Sequence, residues 1–261
     1  MRVDDAWIAH PRGRLFARSW RPAGDSAAAP LVLLHDSLGC VELWRDFPAA
    51  LCEATGRRVV AYDRLGFGRS DARTGPLPLD FIADEARSVF PVVLAQLGIG
   101  ERFVAFGHSV GGGMAVHCAA ALGERCEALI TVSAQAFVED RTLAGLRAAK
   151  AQFQAPGQIE RLARYHGGRA RWVLDAWLET WLSPAFAGWS LAEVLPRVSC
   201  PVLALHGAGD EYGSPQHPAL IARLAGGPVR VELLDGVGHV PHRERPEAVL
   251  GEVRRFIGQV V

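Results

Sequence analysis

The residues best placed to do chemistry are Gly107-His108-Ser109-Val110-Gly111, which follow the apolar run Phe103 to Phe106 and precede the helix-compatible stretch Gly112 to Leu122. A turn this sharp between strand and helix tolerates only small flanking residues, and it holds the serine hydroxyl clear of the sheet. The helix behind it offers free backbone N–H groups and a positive dipole end to a developing oxyanion. That is the setting of a serine nucleophile, which needs a base, and the base needs an orienting acid. Asp210 follows the run Val202 to His206 through Gly207-Ala208-Gly209, and His239 follows Val229 to Leu234 through Asp235-Gly236-Val237-Gly238. Both stand in glycine-rich loops after strands, the edge at which open α/β sheets bind ligands. Glu211 is the rival acid. His35 and His206 end strands and are expected to bond loops, His108 holds the variable position of the turn, and His242 lies beyond the loop among Arg243, Glu244 and Arg245.

Elements able to position these residues recur along the chain. Trp7 to Trp20 alternates around Pro11-Arg12-Gly13 and predicts an antiparallel hairpin. Leu31 to His35, Val59 to Tyr62, Phe103 to Phe106, Ala128 to Val132, Val202 to His206 and Val229 to Leu234 read as six buried strands, most followed by a helical stretch. That alternation predicts an α/β fold with a mostly parallel central sheet flanked by helices. Ala23 to Pro30 reads as a loop. The rhythm breaks over 136–196, where the pattern is helical only and four of the seven tryptophans fall (Trp172, Trp177, Trp181, Trp189). The expected organisation is a core domain over 1–135 and 197–261 with a helical cap inserted at 136–196. With the insertion leaving after Val132 and returning before Val202, both connections are expected near the catalytic edge, so that the cap lies over Ser109. Arg141, Arg147 and Lys150 are expected to face solvent.

Composition narrows the function classes. The 261 residues carry 28 Lys+Arg against 28 Asp+Glu, with the arginines scattered among acids, which argues against nucleic-acid binding. No polybasic anchor is visible, and the apolar run Ala27 to Leu34 is far shorter than a membrane span and contains Pro30. Asp4 and Asp5 stand where an export signal would be basic and then apolar. Five cysteines without C-x-x-C spacing read as reduced, buried thiols. The expectation is a soluble cytoplasmic protein acting on a small molecule, with monomer or homodimer left open. Scattered histidines without H-x-x-x-H or H-E-x-x-H spacing predict no metal, and no cofactor is expected.

The chain resembles the α/β-hydrolase fold superfamily over nearly its whole length. The resemblance rests on His35-Asp36-Ser37-Leu38-Gly39, Asp63-Arg64-Leu65-Gly66-Phe67-Gly68-Arg69-Ser70, the serine turn, Gly207-Ala208-Gly209-Asp210, and Gly238-His239. It implies Ser109, Asp210 and His239 as a catalytic triad, in that chain order, and the backbone N–H groups of Ser37 and Val110 as an oxyanion hole. Many members have glycine where this chain has Asp36. Asp63 to Ser70 reads as a turn enabled by Gly66 and Gly68 and braced by Asp63 and Arg64. Members that place Asp at the nucleophile, the haloalkane dehalogenases and epoxide hydrolases, do not match. The reading is a serine hydrolase of a small, apolar ester, thioester or lactone, with Asp36, Phe137, Trp177, Trp181 and Val240 as pocket candidates. The alternatives are a carbon-carbon bond hydrolase of ring-cleavage products, many of which carry Asn at the His108 position, and a non-catalytic receptor on the same fold.

Overall fold

Strands that alternate inward to two helical layers read as continuous apolar runs, and the structure shows why. The computed structural model describes residues 1–24 and 27–260. Strands β1 (Arg2–Ile8) and β2 (Leu15–Arg21) form the opening hairpin, followed by β3 (Leu31–Leu34), helix α1 (Phe47–Thr55) and β4 (Val59–Tyr62). Short helix α2 (Phe81–Asp84) runs through a π turn into α3 (Phe90–Gln96). Then come β5 (Phe103–His108), α4 (Val110–Leu122) and β6 (Cys126–Val132). Helices α5 (Asp140–Gln152), α6 (Gln158–His166) and α7 (Ala170–Trp181) precede β7 (Val202–Gly207), α8 (Gln216–Leu224), β8 (Val229–Leu234), α9 (Pro241–Glu244) and α10 (Pro246–Val260). The loop expected at 23–30 includes residues 25 and 26, which lie outside the described residues. Among the described residues no helix is long and apolar enough to cross a membrane.

The eight strands pair in the order β1-β2-β4-β3-β5-β6-β7-β8, parallel from β4 through β8 and antiparallel where β2 joins β1 and β4. Successive residues of β3 face opposite layers: Leu31 and Leu33 pack with α1 and α10 residues such as Leu51 and Phe256, Val32 and Leu34 with α3 and α4 residues such as Val93 and Met114. Leu146, Val173, Leu178 and Trp181 of the segment between β6 and β7 belong to that second layer's apolar cluster. The segment therefore shares the main core rather than building its own.

Two sequence expectations change. The last strand is not buried: β8 forms the sheet edge, and Leu233 is 47% exposed. The segment between β6 and β7 does not have both ends at one edge. β6 and β7 are parallel, so the chain leaves at the C-terminal end of β6 and must re-enter at the opposite end, where Cys200 Sγ lies 3.9 Å from Cys126 Sγ. All five cysteines are free and buried.

Candidate active site

The turn at Ser109 is made by space rather than by permissive backbone at its glycines. A Cβ on Gly107 would stand 2.1 Å from the Gly111 carbonyl oxygen, and one on Gly111 would stand 2.1 Å from the Leu34 carbonyl oxygen. Neither glycine has positive φ; the residue in the left-handed region is Ser109 itself, at φ 56°. Such strain costs roughly 1–3 kcal/mol and persists where surrounding packing over-determines it. Here the Ser109 N–H donates to Val132 O across the β5–β6 pair, while α4 starts at Val110 against β3.

The same spatial logic joins the other two loops. Gly207 lets the β7 and β8 loops touch, since its Cβ would meet Gly238 O at 2.1 Å. His239 Nε2 then lies 3.0 Å from Ser109 Oγ, and its Nδ1 lies 2.8 Å and 2.9 Å from the two Asp210 carboxylate oxygens. A ring nitrogen facing a carboxylate carries the proton, so Nε2 is left to accept the serine hydroxyl. Asp210 is fully buried and also accepts the N–H groups of Tyr212 (2.8 Å) and Gly213 (3.1 Å). Burial works against its charge, but the His239 bond, the His239 charge and these donors outweigh it and hold the carboxyl below its ordinary value. Burial likewise opposes charging of His239, yet Asp210, with Glu211 and Asp36 behind it, raises the imidazole above its ordinary value. Glu211, the rival acid, is instead bound to the backbone: its Oε2 accepts the His239 N–H at 3.2 Å.

Three of the other candidate histidines are held by hydrogen bonds, whereas His242 packs against His108 with its Nδ1 buried and unpartnered among the described residues. His35 Nδ1 donates to Asp36 O at 2.8 Å while its Nε2 accepts the Arg64 N–H at 3.1 Å. His206 bonds Gly213 O, and His108 Nε2 donates to His239 O at 2.8 Å. Burial pulls His108 down to about 4, so its ring stays neutral beside Asp36, 3.6 Å away. The Asp63 to Ser70 turn is braced as its residues suggest. Asp63 accepts the Val41 and Arg69 N–H groups, Gly68 at φ 50° leaves room for that carboxylate, and Arg64 donates to Asp36 O at 2.8 Å.

Ser37 lines the cavity that opens onto Ser109, and Val110 follows Ser109 as the first residue of α4; neither backbone N–H donates to another protein group among the described residues. A cavity of about 210 Å³ opens onto Ser109, and Asp36, Ser37, Trp177, Trp181 and Val240 all line it. Phe137 does not: it stacks on His217 with ring centroids 4.3 Å apart, because His217 is pinned between the Ala136 N–H and Glu139. Arg141, Arg147 and Lys150 are all exposed, as expected, with Arg141 also donating to Asp210 O at 3.0 Å and Lys150 pairing with Glu179. Trp172 and Trp189 pack against Phe67 and Phe186. Among the described residues no group of three His, Cys, Asp or Glu side chains is arranged to hold a metal ion.

Three further residues belong to the site without a motif to mark them. Gln135 Oε1 lies 3.1 Å from Ser109 Oγ, a second acceptor beside His239 Nε2 for the one hydroxyl proton, and its one sequence signal is a polar residue just past the end of a buried strand. Tyr212 sets its ring edge-on to His239 at 4.8 Å and to Trp177 at 5.7 Å; burial first, then the Glu211 and Asp210 charges, push its hydroxyl up to about 12. His166 of α6 accepts the Gly68 N–H at 2.9 Å and donates to Leu38 O at 3.0 Å, tying the helical segment to the loop that carries Ser37.

A family model described as alpha/beta hydrolase fold matches residues 29–192. Among curated proteins, 1-acylglycerol-3-phosphate O-acyltransferase ABHD5 of Homo sapiens is 34% identical over 123 residues, 46% of this chain and 33% of that one. The matched stretch thus spans only about a third of the length of the curated relatives. Among solved structures, proline iminopeptidase of Mycobacterium smegmatis superposes with a TM-score of 0.74 at 23% identity, covering 98% of both chains. Naproxen esterase of Bacillus subtilis gives 0.74 at 20% identity, covering 98% of this chain and 92% of that one. At such identities the structural likeness speaks for the fold alone.

Proposed function

This chain belongs to the α/β-hydrolase fold family, and from that premise we propose that it is a serine hydrolase of a small carboxylic ester, thioester or lactone. The observation that carries the reading is the unbroken hydrogen-bond chain Asp210–His239–Ser109 on three separate loops, opening onto a cavity. Ser109 Oγ attacks the carbonyl carbon as its proton passes to His239 Nε2, and the carbonyl oxygen, now charged, takes the N–H groups of Ser37 and Val110. Collapse of that intermediate expels the leaving group, which takes the proton back from His239. Water then attacks the acyl-enzyme, giving one proton to His239 Nε2, and the carboxylic acid leaves as Ser109 is reprotonated. Asp210 holds the tautomer and offsets the imidazolium charge.

In this reading the segment 136–196 acts as a cap. Thr142, Leu146, Trp177 and Trp181 wall the cavity, and the volume of about 210 Å³ suits a small acyl group. Leu146, Trp177 and Trp181 give the wall on this side an apolar face for the acyl group, while Asp36, Gln135 and Glu211 line the cavity elsewhere. A fluorophosphonate probe tests the nucleophile: it should label the parent at Ser109 and leave Ser109→Ala unlabelled, alongside turnover of short acyl esters by the parent alone. Equal labelling of both proteins would overturn the assignment.

A further inference from the structure

We propose that Gln135 determines specificity by reading a hydroxyl group on the carbon next to the scissile carbonyl, so that 2-hydroxyacyl esters are the preferred substrates; this deepens the reading of Ser109 as the nucleophile and rests on it. The backbone delivers Gln135 to this place under constraint. β6 ends at Val132, and Ser133 takes a left-handed turn at φ 47°. Ala134 then sits in the gap left by the missing side chain of Gly112, where a Cβ would come within 2.4 Å of it. On the far side Ala136 is fixed through its N–H to His217 Nδ1 at 2.9 Å and through its carbonyl, which accepts the Leu191 N–H at 2.7 Å. Gln135, only 5% exposed, is clamped at both ends and lines the cavity beside Ser109.

Its amide is half satisfied. Oε1 lies within hydrogen-bond reach of Ser109 Oγ at 3.1 Å, while Nε2 has no partner in the protein among the described residues. The serine hydroxyl has one proton, and in the reaction it goes to His239. Once Oγ is an ester oxygen it offers no donor, and Oε1 against it would set two acceptors in contact. The amide is then better turned over, with Nε2 donating to Oγ and Oε1 facing the cavity. In either orientation one end touches the nucleophile and the other stands unpaired, one amide width farther on, at the wall of the cavity that Trp177 and Trp181 also line. Of the atoms within two bonds of the carbonyl carbon that joins Oγ, the mechanism commits the carbonyl oxygen to the Ser37 and Val110 N–H groups and the leaving oxygen to His239, which leaves a substituent on the neighbouring carbon for the amide. A hydroxyl is donor and acceptor at once and satisfies the amide both ways; a methyl group satisfies it neither way. A site with such a group rejects the analogue lacking the matching one, because its own polar atom is left buried and unpaired.

Methyl lactate and methyl isobutyrate differ only by hydroxyl against methyl at that carbon. For each, kcat/KM is divided by the ester's own hydroxide-catalysed rate constant, which removes the difference in intrinsic reactivity. The parent is expected to favour the lactate by about 10-fold or more, as one well-placed hydrogen bond allows. Gln135→Met, unbranched and close in volume, should bring the ratio to about one by losing lactate turnover, with Gln135→Leu as the second variant should the first not fold. A parent without preference, or a variant that slows both esters alike and keeps the ratio, overturns the inference. Fluorophosphonate labelling of Ser109 in the same preparations separates the two readings. Labelling with an unmoved ratio sinks the role of Gln135 alone, while a parent that does not label sinks the nucleophile and this inference together.

Discussion

Two serines just past the ends of neighbouring strands share a positive φ and have opposite fates. Ser109 follows β5 at φ 56° and Ser133 follows β6 at φ 47°; each donates its N–H to the next strand, to Val132 O and Leu205 O respectively. Ser109 Oγ meets His239, whereas Ser133 Oγ is buried with no hydrogen-bond partner among the described residues. A left-handed residue at a strand's C-terminal end is thus a way of turning the chain off the sheet, and carries no chemistry by itself. The groups brought opposite decide that. A helix begins directly after Ser109, but after Ser133 the chain runs through Ala134 and Gln135 toward the helical segment. The first turn aims its own side chain at His239; the second aims the side chain two residues on at Ser109.

The comparison breaks most visibly at the hydroxyls themselves. Ser109→Ala is expected to lower kcat by on the order of 10⁶ on a short acyl ester, while Ser133→Ala leaves the steady-state rate within about twofold, since an unpartnered hydroxyl supports nothing. A comparable loss in both would show that Ser133 takes part. Next in size, Asp210→Asn should cost about 10⁴ in kcat by leaving His239 in the wrong tautomer; turnover sustained in that variant but lost in Glu211→Gln would make Glu211 the orienting acid. Ser133→Val should lower the unfolding free energy by about 2–3 kcal/mol, because a β-branched side chain resists positive φ. Ser133→Gly should stay within about 1 kcal/mol of the parent, relief of strain being offset by a freer unfolded chain. Urea titrations of the pair check this, and equal effects would deny the strain.

The smallest effect concerns pH. The proposed mechanism needs neutral His239, whose value in the fold is raised, so kcat/KM should fall as pH drops through a point above the ordinary histidine value. Removing one nearby negative charge with Glu211→Gln should move that acid limb to lower pH, because the protonated ring loses part of its stabilisation. A limb that stays in place would mean Glu211 acts only through its bond to the His239 backbone.

The legibility of these residues followed their physics. Ser109 stood out because its turn brings residue 111 against β3 and residue 107 against the start of the following helix, which forces glycine at both, and the parallel strands because burial on both faces makes their residues largely apolar. The Ser133 turn has no glycine signature, since Ala134 fills the gap that Gly112 provides from the other chain segment. Asp210 and Glu211 are adjacent in a loop and equally acidic. Which one reaches the imidazole depends on the Tyr212 and Gly213 N–H groups that orient Asp210, and on the close approach of the β7 and β8 loops.

By itself the sequence determined the sheet, the Ser109 turn and the loops that carry Asp210 and His239, because these rest on short-range periodicity and on steric demands at single positions. Only the tertiary structure decided that Phe137 stacks on His217 instead of entering the cavity, that Arg141 is tied to Asp210 O, and that Gln135 touches Ser109. Those outcomes depend on where side chains from distant loops meet. A residue's neighbours in sequence restrict its backbone, but the direction in which it finds a partner is set by strands more than twenty residues away.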